Sequence, residues 1–208
     1  MDSEVIEETE QVKRRYNRIA WIYDVLESGM ECMINRFRGR LWGRVQKGEI
    51  LEVGVGTGKN IDFYQKFHKV TAIDISEKML AKARKRASKY GKQVVFEYGD
   101  VQSLKYPDGS FDTVVTTCVF CSVPDPVQGL KEIKRVLRPN GKLYMLEHVL
   151  SQKWWLRGLM NFFDFLPYWT WGAHINRDTV SNLELAGFSN ISTEYLVGDV
   201  LEIIEVEA

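Results

Sequence analysis

Cysteine is scarce in this chain. Cys32, Cys118 and Cys121 form an odd set with no repeated spacing, which argues against a disulfide framework and fits a reducing compartment. Histidine is equally sparse, at positions 68, 148 and 174. Without a second cysteine pair, Cys118-x-x-Cys121 therefore lacks the partners of a structural metal site, and no metal is expected. Neither sign of charge prevails, since 28 Lys and Arg balance 28 Asp and Glu; nucleic-acid binding driven by overall charge is not indicated. No apolar run reaches the roughly 18 to 20 residues that span a bilayer. The acidic start, Met-Asp-Ser-Glu-Val-Ile-Glu-Glu, lacks the apolar segment of a secretory signal. A cytoplasmic location is expected, with peripheral membrane contact left open. Internal repeats and low-complexity tracts are absent too.

What is present is an apolar content of 45% over 208 residues, enough to bury the core of a single domain. Charge is unevenly spread: nine Lys or Arg face three acids between Gln11 and Lys47, whereas the last 25 residues hold six acids and no base. From residue 50 onward, strand and helix patterns alternate: strand 50–54, helix 58–67, strand 70–74, helix 77–90, strands 93–97 and 111–117, helix 126–137 and strand 142–148. Such alternation implies a mainly parallel sheet covered by helices on both faces. Ser76 and Asp125-Pro126 read as helix starts, and Pro139-Asn140-Gly141 as a turn. Residues 10–47 read as a helical lid, broken near Ser28-Gly29 and ended at Gly48. After the core at 48–150 come an aromatic insert at 151–176, then a helix and hairpin at 177–208, the hairpin turning at Gly198-Asp199.

The most informative stretch is Ile50-Leu51-Glu52-Val53-Gly54-Val55-Gly56-Thr57-Gly58-Lys59, an apolar strand entering a glycine-rich turn. Glycine permits φ > 0 and lets a ligand approach the main chain. A dinucleotide fingerprint would read G-x-G-x-x-G. Here the spacing is Gly54-x-Gly56-x-Gly58 with Glu52 before it, and a carboxylate there would repel a pyrophosphate but suit a cofactor with a cationic end. Asp74, ending the next apolar stretch, is placed to accept both hydroxyls of a ribose.

Glu52-Val53-Gly54-Val55-Gly56-Thr57-Gly58 resembles the first motif of class I S-adenosylmethionine-dependent methyltransferases, and Ala72-Ile73-Asp74-Ile75-Ser76-x-x-Met79-Leu80 resembles their second. The resemblance covers roughly residues 47–150. It implies a Rossmann-like, doubly wound, seven-stranded, mainly parallel α/β sheet with a C-terminal antiparallel hairpin. It also implies S-adenosylmethionine as cofactor. By the same resemblance Glu52, Gly54, Gly56, Thr57 and Gly58 form the cofactor turn and Asp74 meets the ribose. Ile75 and Met79 pack near the adenine, and Asp100 with Val101 meets its edge. Thr117 and Cys118, ending the fourth strand, line the pocket or serve as ordinary core.

The acceptor side is less defined. His148 is a candidate to orient an acceptor or take its proton, against a purely structural role. Tyr16-Asn17-Arg18-Ile19-Ala20-Trp21-Ile22-Tyr23-Asp24 is similar to a segment preceding the domain in quinone-biosynthesis and bacterial phospholipid N-methyltransferases, making Tyr23 either a lid contact or a buried helix aromatic. Four of the six tryptophans fall within 154–171. Such a stretch suits first a membrane interface, aided by the basic N-terminal segment, then a substrate cap or core packing beneath the lid, and last a dimer contact. The expected activity is methylation of a phosphatidylethanolamine-type lipid amine. The alternatives are a hydrophobic thiol, phenol or quinone acceptor, and a cofactor-binding subunit without catalysis. Oligomeric state is not legible from the sequence.

Overall fold

The computed structural model describes residues 3–26, 28–164, 174 and 176–208. Three helices open the chain, α1 (Ser3–Ile19), α2 (Tyr23–Leu26) and α3 (Ser28–Trp42). The alternating region follows as β1 (Gly48–Val53), β2 (His68–Asp74), α4 (Glu77–Lys89), β3 (Val94–Tyr98), β4 (Phe111–Thr117), α5 (Pro126–Val136) and β5 (Leu137–His148). Then come α6 (Trp154–Phe163), α7 (Thr179–Leu185), β6 (Ser189–Val197) and β7 (Leu201–Glu207).

One seven-stranded sheet runs β3-β2-β1-β4-β5-β7-β6. Strands β3 to β5 pair in parallel, while β7 runs antiparallel between β5 and β6. This is the mainly parallel Rossmann-like sheet with its C-terminal hairpin, turned at Gly198 with φ 56°. Side chains alternate across a strand, so neighbours Ile50 and Leu51 enter opposite cores. Ile50 packs with Phe37, Leu41 and Trp42 of α3 and Leu80 and Ala83 of α4. Leu51 packs with Leu130 and Ile133 of α5 and Leu183 of α7. Strand order reverses between β1 and β4, so the loops leaving those strands diverge and open a crevice at their carboxyl ends.

Local signals are realised where the chain supplies a cap. Ser76 Oγ accepts from Met79 N at the start of α4, and the Asp125 carboxylate accepts from Gln128 N behind Pro126. Pro139-Asn140-Gly141 is absorbed as an irregularity within β5, Asn140 having φ 64°. Two boundaries differ from the sequence reading. The segment expected as helix 58–67 forms only a short 3-10 turn at Ile61–Phe63. Gly58 enters at φ 85°, and the Asn60 amide is committed to Glu52, Thr117 and Arg38. The lid breaks at Ala20–Ile22, and Gly29 lies inside α3. In the insert, 154–163 is helical, while 165–173 and 175, with Trp169 and Trp171, lie outside the described residues.

Candidate active site

At the carboxyl ends of β1 and β4 lies a partly open cavity of about 740 Å³. Gly54, Gly56, Asp74, Ile75, Met79, Asp100, Val101, Thr117 and Cys118 line it, together with Thr9, Tyr16 and Tyr23 of the lid helices and Gln102, Ser122 and Val123.

The three glycines do different work. Gly54 (φ 68°) passes so close to the loop after β4 that a Cβ would stand 2.5 Å from Val119 Cγ2. Gly58 (φ 85°) packs against α4, its Cβ position lying 3.1 Å from the backbone of Ala83. Gly56 (φ 55°) instead borders open space, so a ligand can meet its backbone. Its N–H donates to Asp74 Oδ2 at 2.8 Å, and Ser76 N–H donates to Oδ1 at 2.8 Å. Burial pushes Asp74 up to about 6 against these two bonds. Each oxygen keeps a lone pair for a hydroxyl donor.

Asp100 is fixed by Gln102, whose backbone N–H donates at 2.9 Å and whose side-chain amide reaches the carboxylate at 3.1 Å. That amide also donates to Thr9 Oγ1 of α1 at 3.0 Å, and its carbonyl accepts from Asp125 N–H at 2.9 Å. Gln102 thus joins the lid, Asp100 and the cap of α5. Tyr16 completes the cover, its hydroxyl 2.7 Å from Ser122 Oγ. Asn17 accepts from Ser76 Oγ at 2.8 Å, and Asp24 from Thr57 Oγ1 at 2.7 Å.

A second, smaller cavity shares Tyr23, Gly54, Gly56, Thr117 and Cys118 with the first and adds Arg38, Thr57, Lys59 and Asn60. Beneath it, Asn60 Nδ2 donates to Glu52 Oε1 at 2.8 Å and to Thr117 Oγ1 at 3.0 Å, while Tyr64 donates its hydroxyl to Glu52 Oε2. Burial raises Glu52 to about 7, opposed by Asn60 and Arg38.

A family model described as a methyltransferase domain matches residues 51–145. The chain is 38% identical over 177 residues to the human thiol S-methyltransferase TMT1B, covering 81% of this chain and 71% of that protein. It is 36% identical over 148 residues to the phosphatidylethanolamine N-methyltransferase of Cereibacter sphaeroides, covering 70% and 72%. A SAM-dependent methyltransferase structure from Methanosarcina mazei superposes with a TM-score of 0.64 at 25% identity, over 81% of this chain and 96% of that one. The chain belongs to the S-adenosylmethionine-dependent methyltransferases.

The cavities of this methyltransferase suit that cofactor: Gly56 leaves the room a Cβ would fill, and acceptor carboxylates stand at Asp74 and Asp100. When bound, the cofactor supplies an activated methyl group on a sulfonium. Gly54, Gly56, Asp74, Ile75, Met79, Asp100, Val101, Thr117 and Cys118 are brought together around the larger cavity, and Thr57 around the smaller one.

Three expected residues stand apart. Glu52 is 1% exposed and lines neither cavity, because both its oxygens serve Asn60 and Tyr64; it acts on the site through Asn60. Gly58 packs behind the turn. His148 pairs with Leu201 at the end of β5 and is not among the residues that line either cavity. Tyr23 lines both cavities, 6.0 Å from the Tyr16 ring.

Sequence reasoning missed Gln102, Ser122, Arg38 and Asn60. Only Asn60, two residues beyond the last motif glycine, carried a local signal. Cys118 was read by position alone; its φ of 53° marks the sharp exit from β4, held by its N–H on Leu146 O at 2.9 Å. Glu147, buried and raised to about 7, braces that exit by accepting from Val119 N–H at 3.2 Å and Thr116 Oγ1 at 2.9 Å.

Proposed function

We propose that this methyltransferase alkylates a hydrophobic thiol taken up at a membrane surface. The observation that carries the reading is the composition of the cavity wall. Its lining acids are Asp74 and Asp100, both engaged by donors on the cofactor side; Gln102 adds an amide already committed to Asp100, Thr9 and Asp125, and the wall formed by Thr9, Val12, Tyr16, Ser122, Val123 and Pro124 is apolar or hydroxylic. Such a wall suits an acceptor that needs no strong base. A thiol with a pKa of about 8.5 is a few per cent thiolate near neutrality, whereas an alkylammonium near about 10.4 must first be stripped of a proton. Water exclusion and alignment by the lid then supply most of what the reaction asks of the protein. The thiol activity named for TMT1B supports the same choice.

Uptake from a surface is supported by α6, where Trp154, Trp155, Leu159 and Phe162 are exposed, Trp154 at 84%. The helix is linked to the cavity wall. Asp164, its C-terminal cap, meets His174 Nδ1 at 2.6 Å, and His174 N–H donates to Cys121 O, next to Ser122. Exposed Trp21 and Val25 on the lid, with Arg14, Arg15 and Arg18 nearby in sequence, suit anionic headgroups. The same face favours a second reading, a lipid amine as acceptor, in line with the phosphatidylethanolamine N-methyltransferase relative. Transfer of labelled methyl from S-adenosylmethionine to alkyl thiols and to phosphatidylethanolamine vesicles separates them. Label in the thiols supports the proposal; label confined to the aminophospholipid overturns it in favour of the second reading.

A further inference from the structure

The smaller cavity is lined by two cations that the donor motifs do not explain. Arg38 lies on α3 with its side chain only 8% exposed, and Lys59 follows the glycine turn at 11%. Both engage Glu31. Arg38 Nε and Nη2 donate to the two Glu31 oxygens at 2.9 and 2.8 Å, and Lys59 Nζ stands 3.1 Å from Oε2. Arg38 Nη1 donates to Asn60 Oδ1 at 2.8 Å, aligning the guanidinium with the floor of the cofactor turn. Burial pushes Glu31 up, but Arg38 and Lys59 outweigh it and hold the carboxyl below its usual range. The result is a planar fork and an ammonium that line the smaller cavity and are both paired with one carboxylate behind it, next to the larger cavity with which it shares Tyr23, Gly54, Gly56, Thr117 and Cys118.

We propose that Arg38 and Lys59 are the receptor for the α-carboxylate of S-adenosylmethionine, and that Glu31 is an internal competitor for it. This deepens the cofactor assignment and rests on it. The chemistry is selective: a guanidinium fork matches a carboxylate in a bidentate way that an amine or hydroxyl does not. Burial gives the competition its logic. A desolvated guanidinium left unpaired is costly, so exchange of one carboxylate for another keeps Arg38 paired throughout. Glu31 and Arg38 are seven residues apart on one helix, so their pairing ties α3 to nothing else. The contact to the cofactor turn runs through Asn60 and Lys59. The lid helix α3 therefore reports on the cofactor's tail, and Glu31 lowers the apparent affinity by the energy needed to displace it.

Calorimetry with two ligands tests this. S-adenosylmethionine carries the carboxylate; 5′-methylthioadenosine shares the adenosine and lacks the amino-acid tail. Arg38→Gln and Lys59→Gln are expected to weaken S-adenosylmethionine about ten-fold or more while leaving 5′-methylthioadenosine within about two-fold. Glu31→Gln is expected to tighten S-adenosylmethionine several-fold and leave 5′-methylthioadenosine unchanged. Melting curves show whether each variant is folded; should Arg38→Gln fail to fold, Lys59→Gln and Glu31→Gln give the same ratio. Equal weakening of both ligands, or weaker S-adenosylmethionine binding in Glu31→Gln, overturns the proposal and makes the cluster a scaffold. Failure of both ligands to bind the unsubstituted protein removes the cofactor assignment itself.

Discussion

Glu52→Gln should make this protein more stable at mildly alkaline pH and change it little in mild acid. Glu52 is fully buried, and burial raises its pKa from 4.5 to about 7. Below about pH 4.5 the carboxyl is protonated in both folded and unfolded chains, and the shift costs nothing. Between that value and the folded pKa the native state holds a proton the unfolded chain has released, so stability falls as pH rises. Above about 7 the full penalty is present, and at 1.36 kcal/mol per unit it amounts to about 3 kcal/mol. Glutamine keeps the shape and removes the ionisation. Its carbonyl can accept from Asn60 Nδ2 and its amide can donate to the Tyr64 hydroxyl, so the loss is confined to about 1 kcal/mol of charge-assisted bonding. The net expectation is a gain of about 2 kcal/mol near pH 8 and a difference within about 1 kcal/mol near pH 5, by urea unfolding. A change of the same size at both pH values would refute the reasoning. Glu147 supplies the contrast. It is also raised to about 7, yet it accepts from Thr116 Oγ1 and from the backbone N–H groups of Val119 and Phe120. An amide cannot accept from all of them, so Glu147→Gln should destabilise near pH 5, and its gain near pH 8 should be smaller than that of Glu52→Gln.

Other outcomes follow from single contacts. Asp74→Ala should weaken S-adenosylmethionine by about 1 to 3 kcal/mol in calorimetry, since charge-assisted hydrogen bonds are lost; equal affinity would remove Asp74 from the site. Gly58→Val should lower the melting temperature sharply, because φ 85° is strained for a branched residue and its Cβ would meet Ile61 at 2.6 Å and Ala83 at 3.1 Å; an unchanged melt would show the turn to be pliable. Replacing Trp154, Trp155 and Phe162 by serine should reduce sedimentation with anionic vesicles while leaving cofactor affinity intact, and undiminished sedimentation would exclude α6 as a membrane contact.

The donor half of the site was legible because its signals are local. Gly54, Gly56 and Gly58 each need positive φ, and Asp74 reports on the end of the strand beside them. The cover over the cavity was not, because it is assembled across distance: Gln102 meets Thr9 over 93 positions and Tyr16 meets Ser122 over 106. Periodicity misread 58–67, since Ile61 and Tyr64 do point inward as a helix would require, but Tyr64 does so from a turn that delivers its hydroxyl to Glu52. Arg38 was counted as one of nine bases in a basic segment. Sequence pattern does not distinguish a solvated arginine from one buried against Asn60.

The two halves also differ in how they are held. The sheet is locked by apolar side chains on both faces, and residues such as Leu51, Leu130 and Leu143 are inaccessible to water. Helix α1 buries only Thr9 of its 17 residues. Its contacts with the site run through Thr9 to Gln102, Tyr16 to Ser122 and Asn17 to Ser76. Water can replace each of these, at a net cost of about 1 kcal/mol per bond. Apolar burial has no such substitute. The same sequence therefore builds a donor floor held by apolar packing and a cover held mainly by hydrogen bonds, and under the proposed function that division would let the cover move aside for an acceptor without disturbing Asp74 and Asp100.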